Sequence, residues 1–170
     1  MKTIRKSIFE TNSSSTHTLV ITNSDILNLQ DSLSFKFGEF GWEFEEYSTP
    51  EERASYMWTY FVYEYYDYDK KSYEKAYEWR DKIIDILESK GIECYFDDPE
   101  TEDTGYIDHG FELKGLFEDM IDNDNAQLMR YLFGSGTAIY TGNDNDDADP
   151  YIDDINRAEK AGYDIWYKGN

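Results

Sequence analysis

The chain has 170 residues, 39% of them hydrophobic and 18% aromatic. A chain of this length buries about 70% of its unfolded surface and folds without a disulfide or metal, and the aromatic content excludes a disordered acidic tail. Sixteen Lys and Arg stand against 37 Asp and Glu, a formal net charge of −21 that repels nucleic acid and anionic membrane and points to cationic partners.

The patterns predict an α+β fold: one domain over residues 1–170, with an antiparallel sheet and several helices, including a tyrosine-rich central one. Strands dominate 1–48, two helices fill 49–90, and an acidic α/β portion spans 91–170. The basic opening MKTIRKSIFET lacks the apolar run of a signal peptide. Residues 4–10 (IRKSIFE) and 16–22 (THTLVIT) read as two strands joined by a short loop. From Ser32 to Tyr47, Leu33, Phe35, Phe37, Phe40, Trp42 and Phe44 recur between polar or small residues, which predicts one strand pair facing a core. At STPEE the period turns helical. Thr49 can cap, Pro50 suits the first helical position, and Glu51 and Glu52 favour the positive end of the dipole, so a helix is predicted over 50–67.

Along that helix Tyr56, Trp58, Tyr60, Phe61, Tyr63, Tyr65, Tyr66 and Tyr68 spread around the circumference. A helix apolar all round is sandwiched in a core, yet Tyr and Trp beside Glu64, Asp67 and Asp69 also suit a protein interface. A second helix is predicted from Ser72 until Gly91 ends it, with Tyr73, Tyr77, Arg80, Ile83, Ile84 and Leu87 on one face and Glu78 paired with Lys82 on the other. Residues 92–96 (IECYF) follow as a strand holding Cys94, the sole cysteine, which excludes an internal disulfide. Next come a polar loop over 97–108, helices over 111–121 and 126–133, a strand at 137–140, an acidic loop over 142–150, a helix over 151–161 and a strand at 163–167. No stretch approaches 18 apolar residues, so no membrane span is expected. A reducing host cytoplasm is the expected compartment.

The charge is uneven. Residues 1–90 hold 17 acids and 11 bases, 91–156 hold 18 acids and two bases (Lys114 and Arg130), and 157–170 hold two acids and three bases. Ordinary surfaces mix signs, so the middle block needs its own explanation. Its sixteen net charges match roughly 27 Å of duplex DNA, at about one charge per 1.7 Å of axis. The acids nominated for partner binding are Asp97, Asp98, Glu100, Glu102 and Asp103 in one loop, and Asp144, Asp146, Asp147, Asp149, Asp153 and Asp154 in the other. Trp58, Tyr63 and Tyr66 are the nominated aromatic anchors.

Two places invite a chemical reading. Glu10 to His17 is crowded with hydroxyls and can bind phosphate or set a nucleophile beside a base; the simpler expectation is a polar hairpin loop bonding its own backbone. His109 beside Asp108 is the second. If the fold brought His17 and His109 together with Asp108 or Glu10, they would match a divalent-metal set, but no spacing requires it and a surface or capping histidine is expected. The loop from Asn143 places Asn143, Asn145, Asp147 and Asp154 at calcium-loop positions, with Ala148 where Gly is needed and Asp where Glu is expected, a poor match. No phosphate-binding glycine motif, zinc-protease motif or nucleophile elbow is present. No cofactor is implied.

The segment RKSIFETNSSSTHTLVI (residues 5–21) resembles the opening of small proteins of phages and low-GC Gram-positive bacteria. That resemblance covers about a tenth of the chain, implies a phage or mobile-element origin, and carries no catalytic assignment. In composition and size the chain is similar to the acidic DNA-mimic inhibitors of phages, anti-restriction and anti-CRISPR proteins among them. The leading expectation is a non-enzymatic inhibitor that presents carboxylates to a basic nucleic-acid-binding host protein, such as a CRISPR effector or restriction enzyme, without binding nucleic acid or membrane itself. An enzyme or nucleotide-binding protein built on Asn12, Ser13, Ser15, His17, Asp108 and His109 is one alternative. An acidic phage assembly protein that associates through its tyrosine-rich helix is another.

Overall fold

The computed structural model describes residues 15–24, 26, 29–41, 43–108, 113–143 and 150–168. In chain order the elements are β1 (Ser15–Ile21), β2 (Ser32–Phe35), β3 (Glu39–Phe40), β4 (Glu45–Tyr47), α1 (Pro50–Glu64), α2 (Glu74–Glu88), β5 (Glu93–Phe96), β6 (Tyr106–Ile107), α3 (Lys114–Asp122), α4 (Asn125–Phe133), β7 (Ala138–Asn143), α5 (Ile152–Lys160) and β8 (Asp164–Lys168). The fold is mixed α+β. Its main sheet is antiparallel in the order β4-β7-β1-β8, and two small parallel pairs, β2-β5 and β3-β6, lie apart from it.

Helix α1 starts where the capping signals place it. The Thr49 side chain accepts from the Glu52 amide at 3.3 Å while Glu52 accepts from the Thr49 amide at 2.9 Å, a reciprocal box with Pro50 behind it. It stops at Glu64, short of the predicted residue 67. From Arg53 to Val62 every residue but Ser55 is buried, as the encircling aromatics imply. Phe61 stacks on Trp79 of α2, Tyr60 meets Phe117 of α3 edge-on, and Trp58 meets Phe96 of β5. Arg53 is also buried and donates to the carbonyls of Ser48, Thr137 and Leu132. Its cation thus sits at the C-terminal end of α4, where the helix dipole favours it.

Several pairings differ from expectation. The stretch 32–47 is not one strand pair: β2 and β3 run parallel to β5 and β6, while β4 joins β7. Its glycines break the alternation, and Gly41 adopts φ +115°, a conformation that side chains resist. Strand β6 stands where a polar loop was expected, because two residues give no periodicity to read. Strand β1 pairs with β7 on one side and β8 on the other. Residues 4–10 lie outside the described residues. On α2 the buried stripe is Ala76, Trp79, Ile83 and Leu87; Glu78 pairs with Lys75, and Lys82 reaches Asp122 of α3.

Candidate functional site

Strand β1 sends His17 into the interior, fully buried on the same face as Leu19 and Ile21. One ring nitrogen, Nδ1, lies 2.8 Å from the Tyr56 hydroxyl and the other, Nε2, 2.5 Å from the backbone carbonyl of Asp108. A carbonyl only accepts, so Nε2 carries a hydrogen. Burial holds the Tyr56 phenol well above its ordinary value, so that hydroxyl keeps its proton beside Nδ1. Both ring nitrogens of His17 are thereby held by buried partners.

Asp108, also buried, accepts from Ser15 Oγ on one carboxylate oxygen and from the Tyr106 hydroxyl on the other, the latter at 2.6 Å. Burial, then this bond to Asp108, raises the Tyr106 phenol above its ordinary value. Gly41 backs onto the group: a Cβ there would lie 3.0 Å from His17 Cε1 and Nε2 and from Asp108 Cβ. Its positive φ and this close approach both require glycine. On its open side, Gly41 lines a cavity of about 290 Å³ with Glu39, Phe40, Glu43 and Glu45.

The fold thus unites Ser15, His17 and Asp108, three of the six residues nominated for chemistry; Asn12, Ser13 and His109 lie outside the described residues, as does Glu10. His17 lies in β1, within the strand expected over 16–22, and is buried rather than a surface or capping histidine, because it shares a face with the core residues Leu19 and Ile21. Ser15 bonds Asp108 rather than His17, and both imidazole nitrogens hold structural partners, so this arrangement does not set a nucleophile beside a base. What it does is lock β1, β6 and α1 together through polar bonds at a buried junction. Tyr56, Tyr106 and Gly41 were not nominated. Tyr56 looked like one more core aromatic, and the other two act only through contacts distant in sequence. Among the described residues no group of three or more His, Cys, Asp and Glu could hold a metal ion.

A second assembly lies on the surface. After α1, the backbone turns back on itself through reciprocal bonds between Asp67 and Ser72 (2.9 and 3.2 Å), and Asp67 Oδ1 accepts from the amides of Asp69 and Lys70. This turn gathers tyrosines: the Tyr66 ring lies 4.8 Å from both Tyr68 and Tyr73. Tyr68 is 77% exposed. Beside them Tyr77 donates to Asp98 Oδ1 at 2.9 Å, fastening the acidic loop to the start of α2. The same Asp98 oxygen accepts from the Glu100 amide at 3.0 Å, and that bond, then the one from Tyr77, holds its carboxyl below the usual carboxylate range. Burial, this bond and the nearby charges of Asp98 and Glu100 push the Tyr77 phenol up to about 12. Pro99 is buried under the loop, leaving Asp98, Glu100, Glu102 and Asp103 exposed.

Not every nominated partner residue sits there. Trp58 is fully buried, its indole donating to the Asp97 carbonyl at 3.0 Å, and is no surface anchor. Asp97 spends its carboxylate on the Phe37 amide at 2.9 Å. Tyr63 is 39% exposed and packs edge-on against Tyr106, and Tyr66 is half-buried. Asp153 is exposed in the first turn of α5, where Asp154 pairs with Arg157. Of the other calcium-loop positions, Asn145 and Asp147 lie outside the described residues. Asp144, Asp146, Asp147 and Asp149 lie outside the described residues, and no described helix is long and apolar enough to cross a membrane. Compared with family models, curated proteins and solved structures, the chain matches none.

Proposed function

We propose that this chain is a non-enzymatic, phage-type acidic inhibitor whose tyrosine and carboxylate face receives a basic nucleic-acid-binding host protein where that protein expects phosphates. The observation that carries this reading is the bond from Tyr77 to Asp98, which brings the acidic loop and the tyrosine turn onto one surface. Rigid aromatic rings supply contact area, and carboxylates supply attraction and register.

The chemistry has examples inside the molecule. The Arg80 guanidinium lies over the Tyr77 ring, 4.5 Å from its centroid, and Lys114 lies 4.6 Å from that of Tyr65 while approaching Glu64 at 3.4 Å. With Asp81 paired to Arg80 at 2.8 Å, each is a cation held by a tyrosine and a carboxylate together. Glu100, whose charge acts on both Tyr73 and Tyr77, offers an incoming Arg or Lys the same chemistry. A target that reads the backbone charge of a duplex, such as a CRISPR effector or restriction enzyme, carries many such cations.

The second reading, an enzyme or nucleotide-binding protein, has in its favour the meeting of Ser15, His17 and Asp108. Against it stand the bonds that occupy both imidazole nitrogens and both Asp108 carboxylate oxygens. Affinity capture from bacterial lysate on the immobilised protein, with mass spectrometry of what is retained, tests the proposal. A basic nucleic-acid-binding protein, eluted by salt and displaced by duplex DNA, is the expected catch. Retention only of proteins indifferent to both salt and DNA would overturn it.

A further inference from the structure

The main sheet ends on β8, which pairs with β1 on one side; among the described residues nothing pairs with its other side. An open edge displays backbone N–H and C=O groups that template pairing with another strand, and proteins usually blunt it with charge, proline, a bulge or shortness. The opposite edge follows that rule: β4 has three residues, and Glu45 and Glu46 are exposed. Strand β8 does not. It runs for five residues without proline, in unbroken register with β1 from Asp164 opposite Ile21 to Lys168 opposite His17, and Trp166 at its centre is 45% exposed.

We propose that β8 pairs antiparallel with β8 of a second copy of this chain, joining two four-stranded sheets into one. Symmetry sets the register. A two-fold axis normal to the sheet leaves every residue on its own face, and residues opposite each other in an antiparallel pair share a face, so the axis passes through a residue rather than between two. Full overlap of Asp164–Lys168 places it at Trp166. Trp166 then opposes its own counterpart, Ile165 opposes Tyr167, and Asp164 opposes Lys168 of the other copy.

The strand is thus self-complementary: an aromatic centre flanked by opposite charges, pairings that stabilise a sheet when directly across from each other. The register with β1, Asp164 opposite Ile21 and Trp166 opposite Leu19, puts Asp164 and Trp166 on one face. Local charge permits the contact. The molecule carries −21, whereas residues 157–170 hold three bases and two acids, so the strand itself adds little to that charge. The repulsion between the two bodies is long-range and therefore screened by salt. Self-association then strengthens with salt, opposite in sign to binding of a basic partner, and it stands independently of the proposed inhibitor role.

Sedimentation equilibrium of the full chain over a range of protein and salt concentrations tests this. The mass is expected to move from 20.1 kDa toward twice that value as both rise. Trp166→Glu is expected to abolish the dimer. Asp164→Lys or Lys168→Asp alone makes both symmetric end pairs like-charged and weakens the dimer roughly tenfold, and the double exchange D164K/K168D restores it, a rescue that a folding defect could not produce. A monomer at every condition would overturn the inference, as would a dimer indifferent to these changes. So would a dimer that forms only after removal of residues 1–14, since that segment would then be what covers the edge.

Discussion

The Tyr77 hydroxyl reaches Asp98 across 21 positions of sequence, at 2.9 Å, and through that bond an acidic loop and a tyrosine turn share one surface. Tyr77→Phe removes the bond. At this exposed site it is expected to cost at most about 1 kcal/mol of stability, while partner binding weakens through a slower on-rate because the loop carboxylates lose their fixed position. Surface plasmon resonance with the captured partner reads both rates; unchanged kinetics would separate the loop from recognition.

Anchors and core aromatics respond oppositely. Tyr68→Ala and Tyr66→Ala are each expected to weaken partner binding by about 2 kcal/mol with little effect on folding. Trp58→Ala empties a fully buried site and is expected to cost about 3–5 kcal/mol of stability. Denaturant unfolding and binding titrations on the same variants check this division.

The junction around His17 is a structural lock, so its variants report on folding. Tyr56→Phe leaves the buried Nδ1 without its hydroxyl partner, an expected loss of about 1–3 kcal/mol. Gly41→Ala meets both positive φ and the His17 and Asp108 atoms 3.0 Å away, and is expected to destabilise as well. Partner binding per folded molecule is expected to survive both. Loss of function with full stability would instead favour the enzyme reading.

Alkaline pH gives a separate handle. Burial is the largest cause that raises the phenols of Tyr56, Tyr60, Tyr65 and Tyr131. Below the unfolded tyrosine value of about 10 both states are protonated and stability is fully present. Above it the unfolded chain releases protons that the folded chain retains, so stability falls as pH rises. Tyrosinate absorbance is therefore expected to appear together with loss of helical circular dichroism. Early, independent titration of these four tyrosines in a folded protein would contradict their burial.

The legible parts of this molecule were local ones. Thr49, Pro50 and Glu52 announced the start of α1, Gly91 the end of α2, and the encircling aromatics a buried central helix. Pairing was not legible. The partners of β1 lie over a hundred residues away, and nothing in the residues 32–47 marks a parallel crossover. Ser15, His17 and Asp108 could be nominated by type, but their roles depend on Tyr56, Tyr106 and Gly41, whose contacts exist only once the chain has folded. The tyrosine and acid segments were visible separately, and their shared face depends on a bond between the start of α2 and the loop after β5.

The claim that a charged, aromatic face receives a basic partner is tested most directly by the salt dependence of that partner's affinity, measured for the native chain and for the triple variant E100K/E102K/D103K. The account predicts affinity that falls steeply as salt rises, and for the variant a weaker affinity with a flatter slope at unchanged thermal stability. Affinity independent of salt, or a variant indistinguishable from the native chain, would contradict it.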